Sequence, residues 1–201
     1  TRICQSSSWE VSRVNELTQN GHIFYALLDN ASIVSCDMTS GETLWSRFET
    51  GKIEPSILVH DKKVFYACQN VVKIADGAQV DIIRIPVYYP ESLLAMSDNR
   101  LYYLSDHRKK LCCFHLEKRE IVWEMSSISE IIKTLVVKSK ENGEIMIVLI
   151  KDAVVLVTLS NGKTYSYFRM PSVYDIRLTD NHILIHWQEN KTDISAGVQN
   201  A

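Results

Sequence analysis

The chain has 201 residues, of which 46% are hydrophobic and 23% charged, enough apolar material to bury the core of one domain. A net charge of −2 and a pI near 6.3 give no global electrostatic reason to expect nucleic acid or an anionic membrane as a partner. The longest apolar stretch, Ile145 to Ile150 and then Ala153 to Leu159, is broken by Lys151-Asp152 and falls short of the ~20 residues of a membrane-spanning helix, so no membrane insertion by this segment is expected.

The chain opens with Ile3-Cys4, a serine run and Trp9-Glu10-Val11. It begins at Thr1 rather than Met, which we read as a piece of a longer or processed protein. Val14 to Thr18 alternates and meets Asn20-Gly21, a two-residue hairpin signal. Strands are expected at Ile23 to Leu28, Ile33 to Cys36 and Thr43 to Phe48, joined by turns at Asp29-Asn30 and Ser40-Gly41. Four short strands with tight turns make an antiparallel meander.

The pattern then recurs. The second unit runs from Ser56 to Val59, through Asp61-Lys62-Lys63 to Val64 to Cys68, then Val71 to Ile74, Asp76-Gly77 and Ile82 to Ile85. The third has Leu93 to Met96, Asp98-Asn99, Leu101 to Leu104, a basic loop from Ser105 to Lys110, Leu111 to Leu116 and Glu120 to Trp123. The fourth has Leu135 to Val137, Asn142-Gly143, Glu144 to Ile150, Val154 to Leu159, Asn161-Gly162 and Thr164 to Phe168. A half unit follows, Asp175 to Leu178, Asp180-Asn181 and Ile183 to Trp187, and then a polar tail expected to be loosely ordered.

Second strands recur at roughly forty-residue intervals, and Trp45 and Trp123 lie roughly eighty residues apart, two repeats. Four short strands per repeat predict an all-β fold, a β-propeller of four-stranded antiparallel blades with about five blades present. The units are residues 12–50, 55–86, 92–125, 133–170 and 174–189, with 190–201 as the tail. Two closures stay open. Residues 1–11 could complete the last unit, or the chain could be a fragment of a larger ring whose other blades lie elsewhere.

The segment Asp37-Met38-Thr39-Ser40-Gly41-Glu42-Thr43-Leu44-Trp45 resembles the quinoprotein-type propeller repeat, and Phe114 to Trp123 matches it more loosely, with Lys118-Arg119 in place of Ser-Gly. The repeats are also similar to divergent WD-repeat propellers, although the Trp-Asp dipeptide is absent. Quinone-dependent dehydrogenases, which use this fold, would by that resemblance need calcium, a stacking Trp and converging acids. Asp29, Asp61, Asp98 and Asp180 instead fall at turns, where Asp is favoured for local hydrogen bonding. Trp45 and Trp123 are expected to pack between blades.

No H-E-x-x-H, C-x-x-C, G-x-S-x-G or phosphate-loop pattern occurs, and His182 and His186 sit too far apart along a strand, ~13 Å, to share a metal. Neither metal nor cofactor is expected, and catalysis is not. Five cysteines, Cys4, Cys36, Cys68, Cys112 and Cys113, read as reduced structural thiols of a cytoplasmic or nuclear protein, with Cys112 and Cys113 on opposite faces of one strand. The sequons at Asn30 and Asn190 point instead to a secretory lumen.

The expected function is a protein-interaction scaffold or adaptor within a larger complex, with a luminal or extracellular sensor as the alternative. In a propeller, loops between second and third strands share a face with the connections between blades. The expected partner-binding residues are therefore His107, Arg108, Lys109 and Lys110 of the basic loop, Tyr88 and Tyr89, and Tyr174.

Overall fold

The computed structural model describes residues 13–69, 71–77, 79–85, 90–139, 143–179 and 182–187. The chain divides into two compact units, residues 1–124 and 125–201. The first sheet is β1 (Val14–Asn20), β2 (Ile23–Leu28), β3 (Ser32–Asp37) and β4 (Thr43–Phe48). The second is β5 (Ile53–His60), β6 (Lys63–Cys68), β7 (Val71–Asp76) and β8 (Gln79–Arg84). The third is β9 (Ser92–Ser97), β10 (Arg100–Ser105), β11 (Lys110–His115) and β12 (Glu120–Ser126), whose end runs just past the boundary. The second unit holds β13 (Ile131–Ser139), β14 (Gly143–Ile150), β15 (Ala153–Thr158) and β16 (Thr164–Arg169), and the pair β17 (Val173–Leu178) and β18 (Ile183–Trp187). Strands follow one another in chain order within every sheet, so each is a meander. β5 packs beside both β1 and β9, and β13 beside β17. The proposed completion of the last unit by residues 1–11, and the polar tail, lie outside the described residues.

Sheets of the first unit stack face to face, and the second strands show why. β6 is buried continuously from Val64 to Cys68. A strand with one wet face alternates; one covered on both faces reads as a continuous apolar run. Successive side chains go to opposite sheets. Val64, Tyr66 and Cys68 pack with Tyr25, Leu27 and Ile33 of the first sheet, whereas Phe65 packs with Leu101, Tyr103 and Phe114 of the third. In the second unit, Ile147, Leu149 and Val154 form a core with Val173 and Ile176 of β17. The outer strands are more exposed: β12 alternates half-buried and exposed from end to end.

Trp45 packs against the core shared by the first two sheets, its ring centroid 6.2 Å from that of Tyr25. Trp123 lies 5.9 Å from Tyr102 in its own sheet. The Asp-x-x-Ser-Gly motif has a mechanical reading. Asp37 Oδ1 accepts the backbone N–H groups of Thr39 at 2.7 Å and Ser40 at 3.1 Å, and Gly41 supplies a φ of 74°. The N–H donors of Ser40 and Thr39 hold the Asp37 carboxyl below its usual range. This acid caps a turn.

Several boundaries differ from expectation. The first hairpin turns at Gly21-His22, because Asn20 still pairs with Ile23; Gly21, at φ 62°, takes the first position of a type II′ turn. Asp61-Lys62 and Asp98-Asn99 are type I′ turns with positive φ at both residues. Inner strand β13 begins at Ile131 rather than Leu135, and β8 spans Gln79–Arg84 rather than starting at Ile82.

Cys36, Cys68, Cys112 and Cys113 are buried and carry thiols rather than disulfides. Cys112 and Cys113 pair with Tyr103 and Tyr102 in register, on opposite faces of β11, and burial pushes their thiols up to about 12 and about 11. At about pH 8 almost no thiolate exists, so a thiol reagent should label neither in the native protein and both after denaturation. Native labelling at the rate of an exposed thiol would contradict this packing. Phe114→Ala should cost about 3–5 kcal/mol in a denaturant titration, whereas Ile128→Ala, at a position 94% exposed, should stay within about 0.5 kcal/mol.

Candidate functional site

The basic loop is shorter than its sequence pattern. Ser105 closes β10 and Lys110 opens β11, leaving Asp106 to Lys109 as the connection. Asp106, His107 and Arg108 have φ of 54°, 53° and 60°, a left-handed run that costs side-chain-bearing residues of order 1 kcal/mol apiece. Such a run points successive N–H groups into one concavity suited to an anion. Glu91 fills it: its two carboxylate oxygens accept the N–H of His107 at 2.8 Å and of Arg108 at 3.0 Å. Lys109 N–H closes the turn on Asp106 O at 3.0 Å, and Glu91 N–H is itself tied to Leu104 O at 2.7 Å. The segment leading into β9 therefore clamps the β10–β11 loop, and His107 and Lys109 are presented to solvent with Arg108 half-covered.

The other expected site residues separate. Lys110 does not belong to the solvated tip: its Nζ lies 3.4 Å from Glu124 Oε1 and only 13% of its side chain is exposed. Strand pairing points it along the sheet toward β12. Tyr174 lies within β17 of the second unit, its ring 6.2 Å from that of His186, rather than in a loop. Tyr88 and Tyr89 lie outside the described residues. The structure thus gathers His107, Arg108 and Lys109 into one feature.

At the opposite end of these sheets, the β5–β6 turn stands between two clefts. One, of about 580 Å³, is lined by Asn20, His22, Tyr25, Val59 and His60. The other, of about 480 Å³, has a floor of Phe65, Ile74 and Met96 and a rim of His60, Lys63 and Glu117. Each draws on two neighbouring sheets, so its members are remote in sequence and ordinary in type. Only the register of stacked sheets reveals them.

A buried ionic cluster joins the first two sheets. Glu49, 6% exposed, accepts Tyr66 Oη at 2.5 Å, Lys73 Nζ at 2.5 Å and Arg47 Nε at 2.9 Å. Burial pushes its carboxyl up, but the three donors prevail and hold it below the usual range. The Tyr66 phenol is driven upward by burial and by the adjacent carboxylate. Every oxygen of Glu49 is occupied, so the group anchors rather than exchanges protons. In the second unit Asp175 plays a similar part, 2.7 Å from Lys133 Nζ and 2.8 Å from Arg177 Nε, which bring its carboxyl down to about 2. Among the described residues no group of three His, Cys, Asp or Glu could hold a metal ion. His182 precedes β18 and exchanges hydrogen bonds with Thr179.

No family model matches the chain, and no curated protein matches it by sequence. Its fold is that of β-propeller proteins. It is similar to BamB from Moraxella catarrhalis, with a TM-score of 0.62 at 13% identity, 85% of this chain covering 53% of that one. It is also similar to BBS1N, solved in complex with ARL6DN, with a TM-score of 0.70 at 11% identity over 92% of this chain and 62% of that one. The computationally designed Ika8 protein gives 0.60 at 13% identity, 84% of this chain covering 54% of it. The chain therefore spans between half and two thirds of the length of these structures.

Two outcomes follow from the charges. Asp175 and Glu49 both have depressed folded-state values, so their contribution is present above the ordinary carboxylate range and is lost as pH falls through it, for Asp175 down to about 2. Acid titration of Asp175→Asn should lack that part of the stability loss, and an unchanged profile would contradict the assignment. Glu49→Ala, which strands Lys73 and Tyr66, should cost about 3 kcal/mol. Separately, Glu91→Ala should release the strained loop, so that trypsin cuts after Arg108 or Lys109 many times faster; an unaltered digestion rate would show that Glu91 does not hold it.

Proposed function

We propose that this chain is a non-catalytic protein-interaction scaffold or adaptor, working within a larger intracellular protein or complex. The observation that carries the reading is the clamped loop. Glu91 consumes the inward-facing N–H groups, so the loop keeps one shape while His107 and Lys109 face solvent beside the half-covered Arg108. A rigid cationic tip on stacked sheets suits recognition of an acidic surface, because little side-chain or backbone freedom is lost on docking. The structure of BBS1N bound to ARL6DN offers a precedent for a protein partner on this fold. The most strongly shifted groups, Tyr66, Tyr102, Tyr103, Cys112 and Cys113, owe their shifts first to burial within and between sheets, a structural cause that supports the non-catalytic, cofactor-free reading.

One observation favours the second reading, a luminal or extracellular sensor domain. Asn30 is exposed in a turn, its Oδ1 accepting Ser32 N–H at 3.0 Å, within the sequon Asn30-Ala31-Ser32. A glycosidase-sensitive mass on Asn30 would favour that reading over the intracellular one.

The scaffold reading is tested by tagging the protein in its native cells. Arg108→Glu with Lys109→Glu should remove a partner that the unaltered protein retains under gentle lysis. Full retention of every partner by a folded double variant would end the claim for this loop.

A further inference from the structure

Strand β16 differs from the other outer strands. Its residues Thr164–Arg169 are exposed except for half-covered Ser166, and they include Tyr165 at 54%, Tyr167 at 57% and Phe168 at 50% exposure. Outer strands β4 and β12 instead turn a Trp, Trp45 or Trp123, partly inward. β16 ends the sheet order β13-β14-β15-β16, so among the described residues one of its sides carries backbone N–H and C=O groups with no strand beside them. The charges are equally one-sided. Lys163 precedes the strand and Arg169 closes it; both are exposed, and neither makes an ion pair among the described residues. No acid lies between them. By contrast, β8 carries Asp81, β12 carries Glu120 and Glu124, and Arg47 of β4 is bound by Glu49. Asp152, across from the Arg169 end, is committed to Ser172 N–H at 3.1 Å.

We propose that β16 receives an extended acidic segment of a partner protein, which adds to the sheet as a further strand. Three features converge on that chemistry. The open edge offers main-chain groups at strand spacing. Tyr167 and Phe168 point to opposite faces, so an added strand meets an aromatic ring on either side. Lys163 and Arg169 lie ~20 Å apart along an extended chain, which asks for an acid near each end of the incoming segment. Aromatic and basic residues together also suit single-stranded nucleic acid, but an edge of unpaired peptide groups matches a peptide, and the net charge of −2 disfavours a polyanion with a phosphate at every step. This inference takes the protein-interaction reading as its premise and adds a surface and a partner chemistry to it.

The test titrates the full chain with a fluorescent peptide of alternating Val and Thr that carries Glu at both ends, alongside the same peptide ending in Lys and an oligothymidine. The Glu-ended peptide should bind at least about tenfold more tightly than the Lys-ended one. Lys163→Glu with Arg169→Glu should invert that preference, which loss of folding could not do. Amides of β16 should gain protection from hydrogen exchange when the Glu-ended peptide is bound. The Arg108→Glu, Lys109→Glu protein should bind the peptide unchanged, which separates a failure here from a failure at the loop. Absence of any preference for Glu ends, a preference that survives the double reversal, unprotected β16 amides, or binding of oligothymidine in place of peptide would each overturn the proposal.

Discussion

Burial of the second strands on both faces is the constraint on which everything else depends. In β6, Tyr66 and Phe65 are adjacent in the chain yet serve different interfaces. Each fully buried aromatic of this kind is worth roughly 1.5–3 kcal/mol, and each contributes only while the neighbouring sheet is in place. The constraint explains the composition of these strands, where polar residues are few and the thiol of Cys68 serves as a small apolar group. It also explains why polar character is pushed outward, into turns and outer strands.

Charge inside this framework is used for fastening. Glu49 would be costly at such burial were it not met by Lys73, Arg47 and Tyr66, and the result ties the end of β4 to β6 and β7. Asp175 fastens β13 to β17 in the second unit. Glu91 applies the same means to the backbone, stabilising a left-handed run that its sequence, Asp106-His107-Arg108, would not favour without an anion. The outcome is that neighbouring strands are tied by ion pairs and the β10–β11 loop by a carboxylate.

Much of the architecture was legible in the chain because local signals and burial agreed. Asp98-Asn99 marks a turn by residue type and the short apolar run Leu101 to Leu104 reads as a strand; the structure makes the turn type I′ and buries the run throughout. Adjacent Cys112 and Cys113 fall on opposite faces because alternation demands it. The first hairpin shifted by one residue because Gly21 is needed at a type II′ position, which the Asn-Gly signal alone does not distinguish from type I′. The site was less legible. Lys110 reads as one more cation of a basic run, yet strand pairing turns it toward Glu124; Tyr174 reads as a loop residue, yet it falls within β17, at the irregularity between the paired Val173 and Asp175. Glu91 and Glu49 carried no motif, since their partners come from other strands and other sheets.

Hydrogen exchange followed residue by residue tests the central claim most directly. If two-faced burial sustains the sheets, amides of β2, β6, β10 and β14 should exchange slowest, and those of the outer strands, β16 above all, fastest. Exchange in β6 or β10 as fast as in β16 would contradict the account, because the strands held to carry the structure would then open as readily as its edge.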